Sequence, residues 1–394
     1  MMNDRAVIVG AGAAGLATAE ALRDRGWTGE IVLVGAEPHL PYDRPPLSKQ
    51  LLAGKEEFEF VQLTTHEACT SRDIDLRLGV EATRLDTRNK LVHLAGGEAI
   101  GYDSLVIATG VDARRLVPAE GIAGVVTLRT FADAMDLRAQ MAHGKHVIIV
   151  GAGFIGLEVA ATAISKGCVV DVVEPTPGVL FGKFPTELAQ RIERTHLIKG
   201  VRFHFGQVVE EWNVRTGRIE SVTLSDGETL RADAALVGIG TAPAVGWLDG
   251  AGLEVANGIV CDSQGQAAQD VYAVGDVANW FHPLLGVNQR IEHRLSAGDQ
   301  AQVVAAVLTG TDVPHLDLPF FWTDQYDEKW QAYGYVHGDA ELEVVLDDID
   351  ANRLVAVLKN NGYVEAVIGK NAAKQLIPYR RDLRAAAMQK LVRN

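Results

Sequence analysis

Two short runs in this 394-residue chain have the composition of a phosphate-binding turn. Gly10-Ala11-Gly12-Ala13-Ala14-Gly15 follows an apolar run that ends at Val9, and Gly151-Ala152-Gly153-Phe154-Ile155-Gly156 follows another that ends at Val150. A glycine at the first position permits a sharp turn. One at the second carries no Cβ, so a pyrophosphate can approach the backbone, and one at the third lets a helix pack on the preceding strand. The start of that helix offers free N–H groups and the positive end of its dipole to phosphate. Each run is followed by a second apolar segment that ends near an acid, Glu37 and Glu174, and a carboxylate there can accept hydrogen bonds from a ribose. A glycine turn alone is a weak signal. A complete strand, turn, helix and acid occurring twice points to two dinucleotide sites in one chain.

The elements that must position these residues repeat as well. Tyr102 to Ile107 reads as a buried strand closing on Ala108-Thr109-Gly110, and Asp233 to Val237 echoes it, closing on Gly238-Ile239-Gly240. Small residues at a strand's carboxyl end let a ligand approach the backbone, where open α/β sheets bind theirs. A further strand, Asp270 to Val274, ends in Gly275-Asp276, whose carboxylate suits a sugar hydroxyl. It follows the second repeat, so the first domain is expected to resume there. The fold class expected is α/β, with two nested Rossmann-like dinucleotide-binding domains and a small C-terminal α+β domain. The expected boundaries are 1–112 with 247–318, then 113–246, then 319–394. Residues 60–100 read as short alternating strands. Past Leu318 an aromatic segment leads into strand-like stretches at 342–346, 354–358 and 363–368, and 380–394 reads as a basic helix.

A hydrophobic share of 47% with 22% charged residues fits a globular protein with substantial cores, and a net charge of -14 argues against nucleic-acid binding. The first strand starts about five residues in, leaving no room for a signal peptide. The uncharged run 6–19 is too short for a membrane span, so a cytoplasmic protein with no membrane contact is expected. Cys69, Cys168 and Cys261 lie far apart without a C-x-x-C, and the histidines are scattered, so no metal site is expected. Pro41, Pro45 and Pro46 stiffen the loop that carries Arg44 and Lys49.

Four segments carry a finer resemblance: Tyr42-Asp43-Arg44-Pro45-Pro46-Leu47-Ser48-Lys49, Phe154-Ile155-Gly156-Leu157-Glu158, Arg290-Ile291-Glu292 and Phe321-Trp322-Thr323-Asp324-Gln325. With the nested layout, the chain resembles the glutathione-reductase-like flavoproteins that bind two dinucleotides. It is most similar to the ferredoxin reductases of oxygenase systems, of the putidaredoxin reductase and biphenyl dioxygenase ferredoxin reductase type. The resemblance implies FAD in the first unit, with Gly10, Gly12, Ala14 and Gly15 at its pyrophosphate, Glu37 at the adenosine ribose and Asp276 at the ribitol. Arg44 and Lys49 would lie along the FAD, and Ala108, Thr109 and Gly110 would close on it. It implies NADH in the second unit, against Gly151, Gly153, Phe154, Ile155, Gly156 and Gly240, with Glu174 at the ribose. Lys49 and Glu158 are expected as an ion pair beside the flavin, and Trp322 as a flat wall near it. These three are the residues assigned to the reaction, through tuning and geometry rather than proton turnover. Disulfide reductases of the same superfold place cysteine where this chain has its proline loop, and 37–50 holds none. One departure stands out: the family usually has Trp where this chain has Arg294, which would either face the flavin's pyrimidine edge or point to solvent.

The activity so implied is transfer of a hydride from NADH to FAD and of single electrons to a [2Fe–2S] ferredoxin serving a cytochrome P450 or a ring-hydroxylating dioxygenase. Glu174 would favour NADH over NADPH. Arg114-Arg115 and Arg380-Arg381 are candidate docking pairs for an acidic ferredoxin. Two alternatives stay open: another acceptor, whether a rubredoxin, a quinone or oxygen, and a non-enzymatic NADH-sensing flavoprotein like the apoptosis-inducing-factor relatives. Monomer and homodimer are both open.

Overall fold

The computed structural model describes residues 4–314 and 316–393. Its first sheet is built outward from Arg5–Val9, whose β-branched and apolar residues are buried on both faces. Parallel partners flank it: Val7 pairs Val32 of Glu30–Gly35 on one side and Leu105 of Ser104–Ile107 on the other. The six-stranded sheet runs, in space, Gln266–Ala268, Val271–Ala273, Ser104–Ile107, Arg5–Val9, Glu30–Gly35, Ile74–Leu78. Its strands therefore come from both sides of the second glycine run in sequence.

The second sheet repeats the plan. His146–Val150 lies between Val169–Glu174 and Ala234–Val237, all parallel, with Arg202–Phe205 and Val125–Val126 at the edges. The chain enters and leaves this unit along one ribbon, Val111–Ala113 pairing antiparallel with Thr241–Pro243. In each unit the helix after the glycine turn, Ala13–Asp24 or Phe154–Ser165, buries its small-residue face on the sheet.

The C-terminal part is a five-stranded antiparallel sheet, Phe320–Gln325, Glu328–Gly334, Tyr363–Lys370, Arg353–Asn360, Glu341–Asp348, backed by the helix Ala373–Arg393. Alternation along the strands gives it two apolar faces. Trp330, Ala332, Leu354 and Ala356 pack into one core with Leu157 and Leu188 of the second unit, while Val355, Val357 and Val367 face Leu376 and Leu383 of the closing helix.

Two segments differ from expectation. Residues 58–71 hold two short helices, Phe58–Val61 and His66–Ser71, the second capped by Thr65 Oγ1 accepting from the Ala68 N–H at 3.1 Å. The alternation begins only at Ile74–Leu78. The closing helix starts at Ala373 and runs through Pro378, because burial of Leu376 and Leu383 holds the helix across a residue that usually ends one. The expected end of that helix, Asn394, lies outside the described residues.

Candidate functional site

The two glycine turns obey the same steric logic. At Gly10 φ is +116°, and an added Cβ would stand 2.2 Å from the Ala108 carbonyl oxygen; at Gly151 φ is +107°, and the Cβ would stand 2.4 Å from that of Gly238. At Gly15 and Gly156 a Cβ would strike the carbonyl of Gly10 or Gly151 at 1.9 and 2.2 Å. These four are fixed by the protein's own packing. Gly12 and Gly153 are not, since a Cβ at either would meet nothing within 4 Å. Both open on a cavity of about 1700 Å³, well above the roughly 300–1,000 Å³ of a site for one small ligand.

All the residues expected at the two dinucleotides line that cavity except Gly15 and Gly156. These two stand in the first turn of their helices, each packed on the carbonyl of the first glycine of its turn, the helix-packing role read from the third glycine of the motif.

In the first unit the acid and the cations are already paired. Glu37 accepts from the Tyr42 hydroxyl at 2.6 Å and from Arg44 Nη2 at 2.7 Å, and Arg44 also donates to the Arg129 carbonyl. Arg44 is thus tethered to Glu37 and not a free cation. Arg129, which sequence reasoning missed, donates to Asp276 Oδ2 at 3.2 Å. Burial holds the Arg129 guanidinium below its ordinary value and pushes the Asp276 carboxyl up, while each one's charge opposes the other's shift. Side-chain accessibilities of 25% and 22% remain to them, and both line the cavity, so the open part faces a pocket walled by dense protein. Arg129 Nε has no hydrogen-bond partner, and neither do Trp247 Nε1 and Gln289 Oε1 on the same walls.

In the second unit Glu174 closes the glycine turn. Its Oε2 accepts from the Ala152 N–H at 2.7 Å, and its Oε1 from the Thr176 N–H and hydroxyl at 3.0 and 2.8 Å. Ile155 is exposed at the start of its helix, and Phe154 packs on Phe184 and Phe321.

The two halves meet at Glu158. Its Oε2 accepts from Lys49 Nζ at 2.6 Å and from the Ser48 hydroxyl at 2.5 Å, and its Oε1 accepts from Thr323 Oγ1 at 2.6 Å. The expected ion pair is therefore present, with 11% of Lys49 and 3% of Glu158 accessible. Its donors come from the proline loop and the C-terminal sheet, so one carboxylate joins three parts of the chain. Thr162 adds a second tie, its hydroxyl donating to the Ser48 carbonyl at 2.8 Å. Ser48 and Thr323 lay within quoted motifs but carried no site reading of their own.

Trp322 is partly buried on the cavity wall and stacks on Phe320, their centroids 5.9 Å apart. Arg294 is neither solvent-directed nor a lone cation: it opens the helix Arg294–Thr309 and pairs with Asp43 of the proline loop. A cation at a helix N-terminus is unfavourable, and the Asp43 carboxylate offsets it. Beside it His293 packs on Phe321, and burial lowers it to about 4. Of the docking pairs, Arg380 and Arg381 are engaged by Asp317 and Asp382, and Arg114 donates to the Thr241 carbonyl. The three cysteines are free and buried, burial pushing Cys261 up to about 12. Among the described residues no cluster could hold a metal ion, and no helix is long and apolar enough to cross a membrane.

These residues fit two dinucleotides: Gly12 and Gly153, which no packing of the protein requires, open on the cavity, carboxylates stand at both second strands, and the N–H groups of Arg129 Nε and Trp247 Nε1 face the cavity wall without a partner. Comparison with known proteins agrees. A ferredoxin–NAD(P)(+) reductase of Sphingomonas sp is 37% identical over 97% of this chain and 93% of its own. A rubredoxin–NAD(+) reductase of Pseudomonas putida is 35% identical over 87% of this chain and 89% of its own. The solved covalent putidaredoxin reductase–putidaredoxin complex contains a chain that superposes with a TM-score of 0.94 at 33% identity, covering 97% of this chain and 93% of that one. The pattern named reductase C-terminal matches residues 320–391. Residues 4–301, with both glycine turns, match the pyridine nucleotide-disulphide oxidoreductase pattern, and the chain belongs to that family.

Proposed function

We propose that this chain is an FAD-dependent NADH:ferredoxin oxidoreductase, taking a hydride from NADH and delivering single electrons to a small [2Fe–2S] ferredoxin of an oxygenase system. One observation carries the reading: both glycine turns open on a single cavity, and the Lys49–Glu158 pair stands where the two units meet. FAD in the first unit supplies the chemistry, accepting two electrons together and releasing them one at a time. The chain's residues do the rest. Gly12 and Gly153 admit the two pyrophosphates, while Arg129 and Arg44, each paired with an acid, present guanidinium groups on the wall of the first half. Glu174 presents a carboxylate to a ribose and repels a 2′-phosphate. Hydride transfer depends on close placement of the two reacting rings, so rigid positioning is the protein's main contribution. Lys49 and Glu158 fix the relation between the units, and Trp322 walls the cavity from the C-terminal side. With three buried cysteines and none in the proline loop, the chain has no dithiol to pass electrons through. A cytoplasmic location fits an enzyme supplied by NADH.

The test is anaerobic rapid mixing of the FAD-loaded protein with NADH and with NADPH, followed by oxidised [2Fe–2S] ferredoxin. Fast bleaching of the flavin by NADH and prompt reoxidation by ferredoxin are expected. Reduction without reoxidation would overturn the acceptor. Slow reduction by both nucleotides would overturn the enzymatic reading. A rubredoxin is the second acceptor to try, given the 35% identity to the rubredoxin–NAD(+) reductase.

A further inference from the structure

Glu158 ends a longer chain of hydrogen bonds. Thr323 Oγ1 donates to it, Gln325 Nε2 lies 3.2 Å from Thr323 Oγ1, Gln325 Oε1 lies 2.8 Å from His196 Nε2, and His196 Nδ1 lies 2.9 Å from the Tyr326 hydroxyl. Thr323, Gln325 and His196 are buried, the histidine completely. Thr323 and Gln325 are two residues apart on one strand, which puts both on the face toward Glu158 and His196.

The donor inventory fixes every proton along this path. Gln325 turns its NH2 to Thr323, so its carbonyl faces His196, and a carbonyl only accepts; Nε2 must carry the ring proton. In the neutral ring Nδ1 is then an acceptor, so Tyr326 is the donor. Burial lowers His196 to about 4, which keeps the ring neutral at pH 7. Each donor therefore points the same way, Tyr326 to His196 to Gln325 to Thr323 to Glu158. Turning the amide over would reverse this: the Thr323 proton would go to Gln325, and Glu158 Oε1 would lose its donor.

Backbone geometry supplies independent support. Tyr326 has φ +57° in the two-residue connection between Phe320–Gln325 and Glu328–Gly334. A bulky residue is disfavoured there, and Asn, Asp or Gly would suit the turn better. The tyrosine is held by its hydroxyl bond and by edge packing on the His196 ring, with centroids 5.0 Å apart.

We propose that Tyr326, His196 and Gln325 are positioning residues that act through Thr323 to keep the Glu158 carboxylate aimed at Lys49 where the two dinucleotide units meet. The inference rests on the function proposed above for that junction.

The test uses the FAD-loaded protein and five variants. Thr323→Val removes the last donor and Thr323→Ser restores it. Gln325→Glu keeps the shape but can only accept, so it draws the Thr323 proton away from Glu158, and Tyr326→Phe removes the first donor. Anaerobic flavin reduction at saturating NADH should slow about tenfold in Thr323→Val and Gln325→Glu, the loss of one hydrogen bond to a charged group, with half-saturating NADH changed by less than about twofold. Thr323→Ser should lie within about twofold of the parent. Ring ¹H–¹⁵N correlations at pH 7, with His196 identified by its loss in His196→Gln, should show Nε2 protonated and Nδ1 bare in the parent, and a shifted Nδ1 signal in Tyr326→Phe. Protonation at Nδ1, or unchanged reduction in both Thr323→Val and Gln325→Glu, would overturn the proposal. A parent protein that NADH does not reduce would instead overturn the function, and the histidine signals would still decide the chain of donors.

Discussion

Lys49 Nζ lies 2.6 Å from Glu158 Oε2, yet the two residues belong to different dinucleotide units and are 109 positions apart. Both are largely shielded from water, so their attraction is little screened and either charge left alone is costly. Breaking a buried pair from one side typically costs about 3–5 kcal/mol. Lys49→Met should therefore lower the urea midpoint strongly, while Glu158→Gln, which keeps a polar group for Ser48 and Thr323, should lower it less. Both should slow flavin reduction by NADH at least about tenfold if the pair sets the ring geometry. Equal stability losses with unchanged reduction would show a purely structural pair.

The glycines of each turn should fail in different ways. Gly10→Ala must place a Cβ 2.2 Å from the Ala108 carbonyl at φ +116°, so it should reduce folded yield and thermal stability. Gly12→Ala meets nothing within 4 Å and should fold with the parent's melting temperature as apoprotein, yet bind FAD at least about tenfold more weakly, as a methyl group intrudes on the pyrophosphate. Gly151→Ala and Gly153→Ala should divide the same way for folding and NADH affinity. Flavin content, melting curves and NADH titration separate the outcomes. Normal FAD binding by Gly12→Ala would remove that glycine from the site.

Much of this arrangement was legible in the sequence because it is local. A glycine turn, its strand, its helix and its acid lie within one short stretch, and steric rules act over that range. The nested order was legible because a further strand ending in Gly275-Asp276 follows the complete second repeat. The residues that were missed are joined across long separations. Arg129 reaches Asp276 over 147 positions, and Thr323 reaches Glu158 over 165. Nothing local marks an arginine that will be buried against a distant aspartate. Arg294 shows the same limit from the other side: its type was noticed, but its partner Asp43 comes from the proline loop 251 positions away.

Glu174 makes three hydrogen bonds to Ala152 and Thr176, leaving about one lone-pair site for a ribose hydroxyl. Glu174→Ala removes both the hydroxyl acceptor and the brace of the turn. The ratio of kcat/KM for NADH to that for NADPH should fall about tenfold or more in Glu174→Ala, and further in Glu174→Arg, where a cation replaces the repulsion of the 2′-phosphate. An unchanged ratio in both variants would remove Glu174 from cofactor choice.

His196 gives the protein a pH dependence with a definite sign. Its folded value of about 4 lies below the ordinary histidine value near 6.5, the cause being burial, opposed by the bond to Gln325. As pH falls below about 6.5 the unfolded chain takes up the proton first, so stability declines with falling pH across that window and the loss levels off below about 4. Between pH 7 and pH 5 this amounts to about 2 kcal/mol. His196→Gln keeps an N–H that can reach Gln325 and has no proton to gain in this range. Its urea midpoint should therefore fall less than the parent's between pH 7 and pH 5, whatever the two midpoints are at pH 7. Parallel declines in parent and variant would show that His196 titrates in the folded protein as it does in the unfolded chain, which contradicts its burial among Gln325, Tyr326 and Phe203.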